Sequence, residues 1–114
     1  MGKSQRNKGA RGELLWRDFC RAEGFENAQR GCQLYQTGAE IADVIGLPGI
    51  HIEVKNVERL NIRAAMEQST NDSQQEGRGN IPIVAHKMSR KPWLVTMGAG
   101  DFFKLYKAWL AKEA

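Results

Sequence analysis

From Arg11 to Glu23 the apolar residues Leu14, Leu15, Trp16, Phe19, Cys20 and Ala22 recur at helical spacing, and Gly24 follows as a terminator. This predicts a first helix. Between Ala28 and Tyr35 polar and apolar residues mix around Gly31, which allows only an irregular strand, and Thr37-Gly38 marks a turn. Two β-branched runs come next, Ile41-Ala42-Asp43-Val44-Ile45 and Ile50-His51-Ile52-Glu53-Val54, separated by Gly46-Leu47-Pro48-Gly49. They read as a hairpin. Residues 61–75 are polar and helix-favouring, with Ala64, Ala65 and Met66 near the middle and Gly77 and Gly79 closing the segment. Residues 81–85 and 93–97 are two further strands, and Pro82 belongs at a strand start or on an edge. Asp101 then caps a last helix with the apolar stripe Phe102, Leu105, Tyr106, Trp109 and Leu110, a pattern more often core than base-stacking platform. The order predicts an α/β fold, a mixed central sheet flanked by helices.

The period of two along 50–55 places Ile50, Ile52 and Val54 on one face and His51, Glu53 and Lys55 on the other. If the hairpin loop leaves Gly46 opposite Ile50, Asp43 falls opposite Glu53; a two-residue loop shifts Asp43 off that pairing. Like charges directly across strands repel, so such a pair calls for a cation. Asp43, Glu53 and the main-chain carbonyl of Val54 would offer hard oxygen ligands to Mg²⁺, and Lys55 would sit beside the attacking water, stabilising developing negative charge. The plainer alternative is an exposed Glu–Lys strand with an unrelated Asp on its neighbour, because E-x-K is a short pattern.

The chain has 114 residues, 41% hydrophobic, with 17 Lys and Arg against 13 Asp and Glu. That is material for one core and a net charge of +4. Lys3, Arg6, Lys8 and Arg11 precede the first helix, so 1–10 reads as a flexible basic arm ahead of a single domain at 11–114. Lys87, Arg90 and Lys91 make a second cluster beside Trp93, with Arg78 upstream. Both clusters suit phosphate contact, although basic tails and loops are often simply solvated. Cys20, Cys32, His51 and His86 do not make a typical four-ligand zinc site, and Cys20 reads as a small core hydrophobe. No apolar run approaches the roughly 20 residues of a membrane helix. The expected location is a reducing cytoplasm.

Taken together, the basic arm, Arg11-Gly12-Glu13 opening helix one, Asp43-Val44-Ile45, Ile52-Glu53-Val54-Lys55 after a turn, a helix carrying Gln68 and a segment with Trp93 resemble the PD-(D/E)xK nuclease superfamily. Within it the chain is most similar to small Holliday-junction-resolvase-like proteins. The resemblance spans roughly residues 8–97 and implies a restriction-endonuclease-like sheet with a helix on each side. It also implies phosphodiester hydrolysis with Mg²⁺, or Mn²⁺ as an alternative. The family's catalytic carboxylates fall on Asp43 and Glu53, its lysine on Lys55, its helix-one acid on Glu13 as a further metal or water contact, and its glutamine on Gln68, with Glu67 the neighbouring alternative. Ala42 stands where the family's proline would be, and the serine-rich loop is represented only by 36–40, so junction specificity is less secure than cleavage.

Other residues have two readings each. Glu13 also suits the first turn of its helix, and Glu40 is a further ligand or a turn residue. His51 reads as a polar strand residue or phosphate contact rather than a ligand. Arg30 and Tyr35 could border a DNA groove. Apolar surface left on the last helix, Phe103 and Leu110 included, would fit a homodimer. The reading is a Mg²⁺-dependent endonuclease for branched or junction DNA; the alternatives are a nicking or flap nuclease and a non-catalytic DNA-binding module.

Overall fold

The computed structural model describes residues 3–31 and 42–113, with backbone only for 3–8. Cys32, Tyr35, the 36–40 segment and its Glu40 lie outside the described residues. Helix α1 (Lys3–Ala22) leads to β1 (Gln29–Arg30), β2 (Val44–Ile45) and β3 (Ile50–Asn56); α2 (Ile62–Glu76) crosses to β4 (Ile81–Lys87), and β5 (Leu94–Met97) precedes α3 (Ala99–Glu113). The five strands form one mixed sheet in sequence order. Only the β3–β4 pair is parallel, as a helical crossover requires, and the others are antiparallel. The α/β expectation therefore holds.

Alternation along β3 divides the molecule into two layers. Ile52 and Val54 face α1 and form the core with Trp16, Cys20, Ala28, Val44, Ile83 and Ala85. Trp16 meets Trp93 edge-on at 5.0 Å between ring centroids. Burial pushes the Cys20 thiol up to about 11, consistent with a small core hydrophobe. The opposite face of β3 carries His51 and Glu53 and is covered by α2, so both faces of this strand are buried. Asn61 begins α2 by accepting the Ala64 N–H at 3.1 Å, and left-handed Gly77 ends it with its N–H on the Ser73 and Gln74 carbonyls. Two serines let this helix lie on the sheet: Ser69 Oγ donates to the Ile83 carbonyl at 2.9 Å and Ser73 Oγ to the Asn80 carbonyl at 2.7 Å.

Three expectations differ from the structure. Helix α1 starts at Lys3, not near Arg11, so the segment read as a flexible arm continues the helical backbone. Its Lys, Gln, Asn and Arg residues are good or neutral helix formers that lack only an apolar stripe. Pro82 is the second residue of β4, at the strand start as expected, in a strand that lies between β3 and β5. Its missing N–H is harmless because β5 ends at Met97, opposite Ile83, one pair short of Pro82. Asp101 lies within the first turn of α3 and does not precede it. The α3 stripe is not core, for no residue of α3 is buried and Trp109 is 56% exposed. Phe102, Tyr106 and Trp109 instead stack on one another along the helix at 6.0 and 6.1 Å. No helix among the described residues is long and apolar enough to cross a membrane.

Gly12 sets how closely α1 approaches the sheet, since a Cβ there would lie 2.7 Å from Asn56 Cβ. Gly12→Ala is expected to lower stability in urea denaturation by about 1–3 kcal/mol. Gly9→Ala, in open space on the same helix, is expected to be neutral or to raise stability by up to about 1 kcal/mol.

Candidate functional site

The close approach at Gly12 brings the next residue, Glu13, to the end of the sheet. There Arg30 Nε on β1 donates to Glu13 Oε1 at 2.8 Å. Arg30, read from sequence as a groove-bordering cation, is thus held against the helix-one acid. On the hairpin Val44 pairs with Ile52. Continuing that antiparallel register places Asp43 opposite Glu53, as the longer loop predicts. The Val54 N–H donates to Asp43 Oδ2 at 2.8 Å and ties the acid to β3.

Burial raises the Asp43 carboxyl to about 7, with the neighbouring Glu53 charge adding to the rise; the Val54 N–H and Lys55 oppose it. Glu13 is also raised, chiefly by burial, with Arg30 working against the rise and the Asp43 charge adding to it. Both Asp43 and Glu13 feel the Lys55 cation. The sheet thus gathers three acids and one lysine in a setting short of positive charge.

Beneath α2 a second set of contacts reaches the same Glu53. His51 Nε2 lies 3.2 Å from Glu53 Oε1, and His51 Nδ1 lies 2.7 Å from Glu76 Oε1. His51 is fully buried and Glu53 is 2% exposed. Burial pushes the imidazole down, but hydrogen bonds and charge from Glu53 and Glu76 outweigh it, and the net shift is upward. Lys55 Nζ donates to Gln68 Oε1 at 3.4 Å. The pattern has a simple geometric cause. Four helical residues rise about 6 Å and two strand residues about 6.6 Å, so Gln68, Asp72 and Glu76 on α2 keep step with Lys55, Glu53 and His51 on β3.

Among the described residues, His51, Glu53 and Asp72 bring their ligand atoms within 4.8 Å of one another, a group that can hold a metal ion. Asp43 is not part of that group but lies beside Glu53. These two acids supply oxygen donors only, and a buried pair of like charges that raises Asp43 is relieved by positive charge.

The sequence readings fare unevenly here. Glu13, Asp43, Glu53, Lys55 and Gln68 are brought together, whereas Glu67 is exposed beside Arg63, Met66, Thr70 and Asn71. His51 is a polar strand residue, as expected, but it is buried with both ring nitrogens engaged and so is not exposed to a phosphate. Asp72 and Glu76 were not singled out; their four-residue spacing from Gln68 was the available signal. Of the basic residues, Arg11, Arg78, Arg90 and Lys91 are exposed. Lys87 ends β4 half-buried, its Nζ 6.0 Å from the Trp93 ring centroid. The side chains of Lys3, Arg6 and Lys8 lie outside the described residues. Comparison with protein families, curated proteins and solved structures finds no match.

A pH dependence follows from these shifts. Between about pH 4 and 7 native Asp43 holds a proton that the unfolded chain has released, so stability is lost as pH rises through that window. The raised Glu13 and His51 act in the same direction, and His86, lowered by burial, acts in the opposite one. In chelator-treated buffer, urea denaturation is expected to show lower stability at pH 8 than at pH 5. Asp43→Asn is expected to flatten that slope; an unchanged slope would place the uncompensated charge elsewhere.

Proposed function

We propose that this protein is a divalent-metal-dependent DNA endonuclease, acting as a homodimer on branched DNA and preferring Mg²⁺, with Mn²⁺ as a substitute. The observation that carries the proposal is half-buried Asp43 beside buried Glu53, with Lys55 two residues beyond Glu53 on the same face of β3. Such a pair is costly to a fold unless a cation occupies it. Asp43, Glu53 and the Val54 carbonyl would hold the ion, which when bound supplies Lewis-acid polarisation of the phosphate and a more acidic water.

The chain's own groups do the rest. In hydrolysis a water oxygen bonds to phosphorus, the bond to one ester oxygen breaks, the water's proton passes to solvent and the departing oxygen is protonated. Lys55, steered by Gln68, places its ammonium where negative charge grows on the phosphoryl oxygens. Arg30 restrains Glu13 at the margin of the pair, and the Val54 N–H fixes the direction of Asp43. Arg11, Arg90 and Lys91 are available to phosphates, giving affinity that falls with salt. The uncovered α3 supports the dimer: Phe102, Phe103, Leu105, Tyr106, Trp109 and Leu110 are each more than 40% exposed. Cutting two strands of a junction takes two copies of so small a site.

The test is incubation with four-way junction, flap and linear duplex DNA, with and without Mg²⁺. Junction cleavage is expected only with the metal, and Asp43→Asn and Lys55→Ala are expected to cut at least about a hundredfold more slowly. Failure to cut any substrate overturns the enzymatic reading, and binding without cutting points to the DNA-binding module. Trp109→Glu is expected to shift the protein from dimer to monomer in sedimentation equilibrium. A parent that is already monomeric at micromolar concentration contradicts the assignment of α3.

A further inference from the structure

The cluster beneath α2 has a composition that the Asp43 pair lacks, an imidazole among carboxylates. His51 is wholly enclosed, and its two nitrogens face different acids, Glu76 at 2.7 Å and Glu53 at 3.2 Å. Two arrangements satisfy this geometry. Either the imidazole carries both protons and bridges two carboxylates, or it carries one, on Nδ1, and turns the Nε2 lone pair toward a cation shared with Glu53.

Three features favour the cation. With bonds of about 2.0–2.1 Å, adjacent nitrogen and oxygen ligands of a four- to six-coordinate ion stand about 2.9–3.4 Å apart, which brackets the Nε2–Oε1 separation. Asp72 brings a third ligand atom into the same group, all within 4.8 Å. Glu76 on Nδ1 is the outer carboxylate that commonly orients a metal-bound histidine and selects its tautomer. We propose that His51, Glu53 and Asp72 bind a first-row transition ion of the Zn²⁺ type, with Glu76 as the positioning residue for His51 and α2 clamped to β3 through the metal.

The ligand set explains the preference. An imidazole nitrogen suits Zn²⁺ far better than Mg²⁺, whose ligands are oxygens and water. The typical cysteine-rich zinc site excluded by the residue count is a different arrangement from one histidine and two carboxylates, which leaves positions for water. On binding, the metal replaces the Nε2 proton, which leaves to solvent, so the ion takes the place of a buried positive charge. Glu53 belongs to both this site and the Asp43 pair, but the proposal does not depend on nuclease activity.

Zn²⁺ binding is measured by calorimetry on full-length, chelator-treated protein carrying Asp43→Asn and Cys32→Ser. The first change silences the oxygen-only pair, and the second removes a thiol outside the described residues. One Zn²⁺ is expected per chain, with no comparable binding of Mg²⁺, and zinc-edge X-ray absorption is expected to show one imidazole in the coordination shell. In the same background Glu76→Gln is expected to weaken Zn²⁺ about tenfold to a hundredfold, and Asp72→Asn to weaken it more. Asp72 is only partly buried, so its variant remains informative if His51→Ala fails to fold. Affinity unchanged by Asp72→Asn, or a zinc shell without imidazole, overturns the proposal in favour of the proton-bridged histidine. A parent protein, with Asp43 intact, that binds Zn²⁺ but cuts no DNA with Mg²⁺ would count against the nuclease reading alone.

Discussion

The structure depends on one match of spacing, the stripe Gln68–Asp72–Glu76 of α2 laid along Lys55–Glu53–His51 of β3. A central strand buried on both faces would ordinarily carry apolar residues on both. Here one face is polar, and burying it without partners would cost several kcal/mol for each ionised group. The helix supplies Gln68 to Lys55 and Glu76 to His51, while Ser69 and Ser73 anchor it to carbonyls of β4 and its flank. An apolar α2 could not cover this face, and an absent α2 would leave Glu53 in solvent with no reason to influence Asp43.

The charge balance of the molecule follows from that arrangement. Its +4 comes from 17 Lys and Arg against 13 Asp and Glu; Arg11, Arg78, Arg90 and Lys91 are exposed, while Glu13, Asp43, Glu53, Asp72 and Glu76 are buried or half-buried around β3. Among the described residues, Lys55, Arg30 and the His51 ring stand against Glu13, Asp43, Glu53, Asp72 and Glu76. Asp43 bears the consequence, its carboxyl raised to about 7. A cation-poor interior beneath a cation-rich surface is what an ion-dependent site for a polyanion requires.

Much of this was legible in the sequence where local signals act. The turn at 46–49, the alternation at 50–55 and the closing Gly77 anticipated β3, α2 and the hairpin, with the register that opposes Asp43 to Glu53 as one of its two alternatives. Long-range packing was less legible. Periodicity cannot say whether a polar strand face meets water or another helix, so the burial of His51 was not foreseen and Asp72 and Glu76 were overlooked. The apolar stripe of α3 is real, but whether it packs within its own chain is decided by the direction in which the chain leaves β5. The early start of α1 escaped notice because a helix of polar residues has no stripe to detect.

The central claim is that Asp43, just before β2, and Glu53 of β3 form a cation site. Anomalous diffraction at the manganese edge from crystals equilibrated with Mn²⁺ addresses it most directly. The account predicts an anomalous peak within coordination distance of both Asp43 and Glu53. Full Mn²⁺ exposure with no peak at that pair, and Asp43 simply hydrogen-bonded to Glu53, would contradict it.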